Sequence, residues 1–231
     1  MKNPFDVVRD FEAALCEYTG APFAVTTTSC TQALLMAVAY HLQPTVHSTA
    51  CGVTIRQRVS EGPRGPERLA IRIPSRTYVG VAYAILEAGG RPEFTDQDWE
   101  GFYRLWPLPV WDCARLFTGG MYQQCAEAAE CHSNMLCVSF HWNKTLGIQQ
   151  GGAILLDDPA AAAWLRRARF DGRTEGVPPA IDPFPLYRAW HAYMAPETAA
   201  AGLVRLASLP KHNPPLPKDD YPDLSQLEVF R

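Results

Sequence analysis

Lys144 has the most pointed chemical setting in this 231-residue chain. It closes the run Val138-Ser139-Phe140-His141-Trp142-Asn143-Lys144, and the chain then reaches Gly151-Gly152-Ala153-Ile154-Leu155. A lysine between two apolar strand-forming runs is unusual, because ammonium groups rarely leave solvent. Desolvation there lowers an amine's pKa, and the neutral amine is the form that makes an imine with an aldehyde. A second feature is the turn Ser29-Cys30-Thr31, which follows a short apolar run and opens an apolar helix. The first turn of a helix presents unpaired N–H groups, so strand, small polar turn and helix together make a phosphate-sized anion site as well as a plain N-cap. Asp112 ends a third short strand. Cys125, Cys131, His132 and Cys137 invite a zinc reading, but Cys-x5-Cys-His-x4-Cys fits none of the usual paired-ligand spacings, and no metal site is predicted.

The elements that must hold these residues can be read in order. Residues 6–18 place Phe11, Ala14, Leu15 and Tyr18 on one helical face, stopped by Gly20 and Pro22. Residues 23–27 read as a strand and 31–42 as an apolar helix. Residues 43–68, rich in Pro, Gly and Arg, read as an elaborated loop with a short hairpin around 53–59. Strands follow at 69–74, 92–95, 108–111, 135–140 and 153–156, with helices at 78–88, 160–169 and about 196–209. This alternation predicts an α/β three-layer sandwich around a mostly parallel sheet. In such a sheet ligands bind beyond the carboxyl ends of the strands, where Ser29-Cys30-Thr31, Asp112 and Ser139 would all lie. The expected organisation is a compact domain over residues 1–209 and an extended, proline-rich arm over 210–231. Trp99, Trp106 and Trp111 near Phe102 and Tyr103 read as a compact core rather than a base-stacking platform.

Composition narrows the function classes. The chain is 47% hydrophobic and carries a net charge of −3, which argues against a surface built for phosphate-backbone binding. Twenty prolines and sixteen glycines exclude a simple helical bundle or coiled coil. Residues 21–55 hold no Asp, Glu, Lys or Arg, yet Thr26, Thr27, Thr28, Ser29, Gln32, His41, Gln43 and Pro44 interrupt the run, so a buried segment is expected and not a membrane span. Seven unevenly spaced cysteines suit reduced thiols, and the first residues lack signal-peptide character, so a cytoplasmic protein is expected.

Taken in order, the motifs resemble the DegT/DnrJ/EryC1/StrS family, sugar aminotransferases of the fold-type I, pyridoxal-phosphate-dependent class. Phe11-Glu12 through Tyr18-Thr19-Gly20, then Ser29-Cys30-Thr31-Gln32-Ala33-Leu34, is similar to the family's opening helix and Ser-Gly-Thr-x-Ala-Leu turn. Pro74-Ser75-Arg76-Thr77-Tyr78 resembles its Pro-Ser-x-Thr-aromatic segment, Asp112-Cys113-Ala114 its Asp-x-Ala element, and Ser139-Phe140-His141-x-x-Lys144 with Gly151-Gly152 its Schiff-base segment. A weaker likeness runs through His191-Ala192-Tyr193-Met194 to Gly202-Leu203, and Tyr221-Pro222-Asp223-Leu224-Ser225 resembles the family's C-terminal end.

The resemblance implies pyridoxal 5'-phosphate as cofactor and a role for each matched residue. Lys144 would bind the cofactor covalently and move protons, and Asp112 would pair with the pyridine nitrogen. Tyr78 would stack on the ring. Ser29, Cys30, Thr31 and Ser139 would hold the phosphate, and His141 belongs to the same segment. Arg115 stands where the family has Gln or His at the phenolic oxygen, and a guanidinium there would stabilise the phenolate. His191 replaces the Asn that reaches the neighbouring subunit's phosphate, so a homodimer with a shared site is implied. Only residues 97–111 separate Asp96 from Asp112, and little of the family's C-terminal small domain has a counterpart, so a shortened large domain with an open site is expected.

The function expected from this likeness is transfer of an amino group from a small amino-acid donor to a keto-sugar or nucleotide-like acceptor. A decarboxylase or lyase acting on an amino-acid adduct of a large substrate, such as a modified nucleotide in DNA, is the alternative. A regulator that keeps the fold without catalysis is the third.

Overall fold

The structure, a computed structural model, describes residues 3–43, 45–49, 52–56, 61–62, 65–66, 68–129, 134–186 and 188–230. Helix α1 (Asp6–Thr19) buries Val8, Phe11, Leu15 and Tyr18 along one stripe and ends where Gly20 turns left-handed at φ 78°. Strand β1 (Phe23–Thr27) leads into α2 (Cys30–Leu42), whose Ser29 N-cap accepts a hydrogen bond from Gln32 N–H at 3.2 Å. Leu34, Leu35, Met36, Ala37 and Val38 are all at most 2% exposed, which explains the uncharged run as a helix buried on nearly every side. The loop region carries two small antiparallel pairs, β2 (Thr45–Thr49) with β3 (Gly52–Arg56) and β4 (Glu61–Gly62) with β5 (Gly65–Pro66). The hairpin thus lies earlier than the 53–59 expected, and residues 57–60 fall outside the described ones.

Strand β6 (Ala70–Pro74), helix α3 (Val79–Ala88) and strand β7 (Arg91–Thr95) form a parallel β-α-β unit, with Gly89 at φ 95° capping the helix. Strands β8 (Tyr103–Arg104), β9 (Val110–Asp112), β10 (Met135–Ser139) and β11 (Gly152–Leu156) complete the main sheet, in the order β1-β11-β10-β9-β8. The β6–β7 pair joins its edge through reciprocal backbone bonds between Arg72 and Trp106 at 2.8 and 3.2 Å. The α/β three-layer arrangement is as expected, but the sheet is mixed rather than mostly parallel. Residues 140–151 return the chain directly from β10 to β11, with no crossover helix, so β11 runs antiparallel to both its neighbours, β10 and β1. Among the described residues only β9–β10 and β6–β7 pair in parallel.

Side chains of the sheet alternate between two cores, as the two-residue period of a strand requires. Val25, Cys137, Ile154 and Leu156 face α2, α3 and helix α5 (Pro159–Ala168). Ala24, Leu136, Val138, Ala153 and Leu155 face α1, helix α4 (Met121–Ala129) and helix α6 (Pro196–Ala207). A buried polar knot ties three elements together: Glu12 on α1 accepts from Thr26 N–H at 2.9 Å and pairs with Arg169, whose Nη1 also donates to Thr26 O at 2.7 Å. Breaking one member would strand a buried charge. Trp99 is 9% exposed, as a core residue should be, whereas Trp106 lies half exposed with the Arg72 guanidinium 3.6 Å from its ring centroid. That face is covered by a cation rather than by apolar packing.

The arm is extended, but it folds back on the sheet's carboxyl edge. Gly119 N–H donates to Lys211 O, Leu216 N–H to Arg115 O and Leu224 N–H to Ser75 O, at 2.8, 2.8 and 2.9 Å. Leu224 is fully buried, and Tyr221 stacks beside Trp99 with ring centroids 6.3 Å apart. Among the described residues no helix is long and apolar enough to cross a membrane.

Candidate active site

The mixed sheet still brings the chemistry to one edge, because β1, β10 and β9 all run in the same direction. Thr27 and Ser139 flank Gly152 in register, and Cys137 pairs with Asp112, so the ends of these strands form one row. Gly152 is where the first turn of α2 comes closest: a Cβ there would stand 2.5 Å from Cys30 N and 2.6 Å from Ser29 C. The glycine pair after the lysine loop is therefore a packing requirement, with the α2 N-terminus resting on the sheet.

That N-terminus carries open donors. Neither Cys30 N–H nor Thr31 N–H meets an acceptor among the described residues, while Gln32 and Ala33 bond to Ser29. Gly80 at the start of α3 lets the Tyr78 ring come close to this turn: a Cβ there would stand 2.6 Å from the ring and 3.2 Å from Thr31 Oγ1. Tyr78, Gly80 and Thr31 are therefore neighbours where the N-termini of α2 and α3 meet.

Asp112 is 5% exposed. One carboxylate oxygen accepts from Ala114 N–H and the other from Tyr103 Oη, each at 2.9 Å. Tyr103 gives its proton to Asp112, so the Thr77 hydroxyl, 2.6 Å away, donates to the phenol oxygen. Burial pushes the Asp112 carboxyl up, against the opposing pull of these donors, Lys144 and Arg115. Burial likewise holds the Tyr103 phenol well above its usual value, which keeps it a donor.

Lys144 is half-buried on the 140–151 loop, its N–H bonded to His141 O at 2.8 Å. Burial, with the nearby Arg115 charge, lowers its ammonium pKa, while Asp219, Asp112 and Cys30 act in the opposite sense. Lys144, Asp112, Arg115, Cys30 and Asp219 therefore share one electrostatic neighbourhood. The Cys30 thiol is driven well above its usual pKa by burial and donates weakly to Cys137 O at 3.6 Å, so it is no nucleophile. Arg115 has a side chain only 6% exposed and is ion-paired with Asp219 of the arm.

The remaining sequence-predicted residues are placed less centrally. Ser139 accepts from His141 N–H at 3.4 Å, which uses its hydroxyl to close the turn into the lysine loop. His141 is exposed and held by Asn143 at 2.8 Å. His191 is exposed, 2.9 Å from Asp171, and joins no described contact of the Lys144 cluster. Tyr103, Thr77, Gly80 and Asp219 carry parts of the site that sequence reasoning missed. In the sequence Tyr103 reads as part of a compact aromatic core, while Asp219 lies two residues before the marked Tyr221-Pro222-Asp223 motif. The open site expected from the motifs is instead crossed by the arm. Among the described residues no group of His, Cys, Asp and Glu could hold a metal ion; Cys131 and His132 lie outside them.

The α/β fold is that of the fold-type I pyridoxal-phosphate aminotransferases. Residues 2–103 match the family model for the DegT/DnrJ/EryC1/StrS aminotransferase family, which bears out the resemblance read from the motifs. Among curated proteins no sequence matches this chain. Solved structures with this fold include a DegT DnrJ EryC1 StrS aminotransferase from Brucella abortus, 19% identical at a TM-score of 0.59, with 87% of this chain and 58% of that one aligned. Helicobacter pylori PseC, an aminotransferase involved in the biosynthesis of pseudoaminic acid, is 17% identical at a TM-score of 0.59, over 87% of this chain and 57% of its own. The Bacillus subtilis protein NtdA, with bound cofactor PMP, is 16% identical at 0.61, over 88% and 48%. This chain thus spans roughly half to three fifths of the length of the structures it matches.

Proposed function

We propose that this chain binds pyridoxal 5'-phosphate and acts as an aminotransferase, taking an amino group from an amino-acid donor for a keto-sugar or nucleotide-like acceptor. The observation that carries the proposal is the convergence of a pKa-depressed lysine, a buried aspartate and a helix N-terminus with open N–H groups. These residues fit the cofactor group by group. The Cys30 and Thr31 N–H groups, supported by Ser29 and Ser139, suit a phosphate. Tyr78 is half exposed beside Gly80 and Thr31, so its ring is available to lie against a planar group. Asp112 retains acceptor capacity beyond its two bonds, enough to hold a proton on a ring nitrogen.

When bound, the cofactor supplies an aldehyde for amine exchange and an electron-accepting ring. Lys144 would be the residue that holds the group covalently, and its free Nζ would take and return a proton at the donor's α-carbon. Tyr103 and Thr77 keep Asp112 oriented through their relayed hydroxyls. Arg115 offers its donors to the phenolic oxygen. The exposed His191 and His141 are available to a second subunit of a homodimer, in the role the family likeness implies for His191. Residues 210–231 serve as an arm over the compact body of residues 1–209.

Adding pyridoxal phosphate to the purified chain is expected to produce a visible absorbance band that borohydride traps on Lys144 and that Lys144→Ala abolishes. An unchanged spectrum in the wild type would overturn the cofactor assignment. Release of a keto acid from glutamate, with no carbon dioxide, separates amino transfer from decarboxylation.

A further inference from the structure

Arg115 is a buried cation with unused bonding capacity. Its side chain is only 6% exposed, its Nη2 faces the Asp219 carboxylate, and its Nε meets no hydrogen-bond acceptor among the described residues. A guanidinium has five N–H donors arranged as a fork, more than one phenolic oxygen can use, and its best partner is a carboxylate held by two parallel bonds. The resident partner does not match that burial: the Asp219 side chain is 54% exposed and lies on the arm. Tyr221 of the same arm segment also hydrogen-bonds Arg115; its hydroxyl lies 3.2 Å from Asp219 and its ring stacks beside Trp99. The Asp219 carboxylate keeps a solvent-facing side, so an incoming carboxylate can take its place while the buried guanidinium stays paired. Lys144 responds to the charges of both Arg115 and Asp219, which places the exchange beside the reactive amine.

We propose that Arg115 is the carboxylate-binding subsite of this site and that Asp219 is its internal, displaceable occupant. The incoming ligand is an amino acid or keto acid whose carboxylate replaces that of the arm. An amino acid so held presents its amino-bearing carbon to Lys144, and release of Asp219 frees the arm segment from Asp219 to Tyr221. The ligand class rests on the function proposed above; the anion exchange at Arg115 does not.

The test is calorimetric titration of the full chain with glutarate, a dicarboxylate with no amino or keto group to react. Asp219→Asn is expected to tighten binding about fivefold by removing the competitor. Arg115→Gln is expected to weaken it at least tenfold. Should that variant not fold, Arg115→Lys keeps the charge, loses the planar fork and is expected to weaken binding as well. In the wild type, glutarate is expected to change tryptophan emission, a change lost in Trp99→Phe. Equal affinity in the wild type and both Arg115 variants overturns the subsite, and equal affinity in the wild type and Asp219→Asn overturns the displacement. Lys144→Ala keeps the two readings apart, since it removes the cofactor band and is expected to leave glutarate binding in place.

Discussion

Gly152→Ala is the sharpest test of how the site is built. Its added methyl would lie 2.5 Å from Cys30 N, 2.6 Å from Ser29 C and 2.8 Å from Cys30 Cα, against an ordinary contact distance that begins at 3.4 Å. All three neighbours are backbone atoms, so no side chain can swing away. Gly152 cannot retreat either, because Thr27 and Ser139 hold it from both sides in the ladder. The first turn of α2 must therefore move outward by the better part of an ångström. Overpacking of this kind costs about 1–3 kcal/mol. For a chain of this size each kcal/mol lowers the melting temperature by about 2–4 °C, so a fall of roughly 6 °C is expected at the centre of that range. The displaced N–H groups of Cys30 and Thr31 should also lose an anion: a charge-assisted hydrogen bond is worth about 1.5–3 kcal/mol, so inorganic phosphate should bind at least about tenfold more weakly. Thermal unfolding and a phosphate titration read the two effects separately. A variant with the melting temperature and phosphate affinity of the wild type would refute the packing of α2 on β11 as the basis of the anion site.

Gly80→Ala meets a similar distance with a different neighbour, the half-exposed ring of Tyr78, which can swing into solvent; stability should change by less than about 1 kcal/mol while cofactor affinity drops, both measurable on one preparation. His41 supplies a pH dependence. Burial holds its pKa at about 4, below the ordinary 6.5, with the Asp158 charge pulling the other way. Between these values the unfolded chain takes up a proton that the folded chain refuses, so stability should fall as pH drops from about 6.5 towards 4. His41→Gln should flatten that part of the curve, as read from denaturation midpoints at pH 7.5 and pH 5.

The elements with strong local signals were legible in the sequence to within a residue or two. The uncharged, alanine-rich α2, the strands that alternate between two cores, and the Gly20 and Gly89 stops all carry their physics in neighbouring residues. What escaped depends on partners distant in the chain. Helix α4 buries Met121, Tyr122 and Cys125 but has no clean apolar stripe, and β8 is too short to show a period. The antiparallel course of β11 could not be read from composition, since a buried central strand is apolar in either direction. In the site, Lys144, Asp112 and the Ser29-Cys30-Thr31 turn stood out because a polar group at the end of an apolar run is locally odd. Tyr103 and Asp219 did not, because their roles come from residues 9 and 104 positions away, Asp112 and Arg115 respectively.

The return of the chain from β10 to β11 has a mechanical meaning. Ser139 and Gly152 are opposite rungs of the same ladder, and backbone bonds from Phe140 to Gly151, Trp142 to Gln149 and Ile148 to Phe140 carry the closure into the segment that holds Lys144. Its root cannot open without unzipping two central strands. The arm that carries Asp219 is anchored independently, at Gly119, Arg115 and Ser75. The segment that carries Lys144 and the arm that carries Asp219 are thus tied to the body of the protein by separate sets of hydrogen bonds.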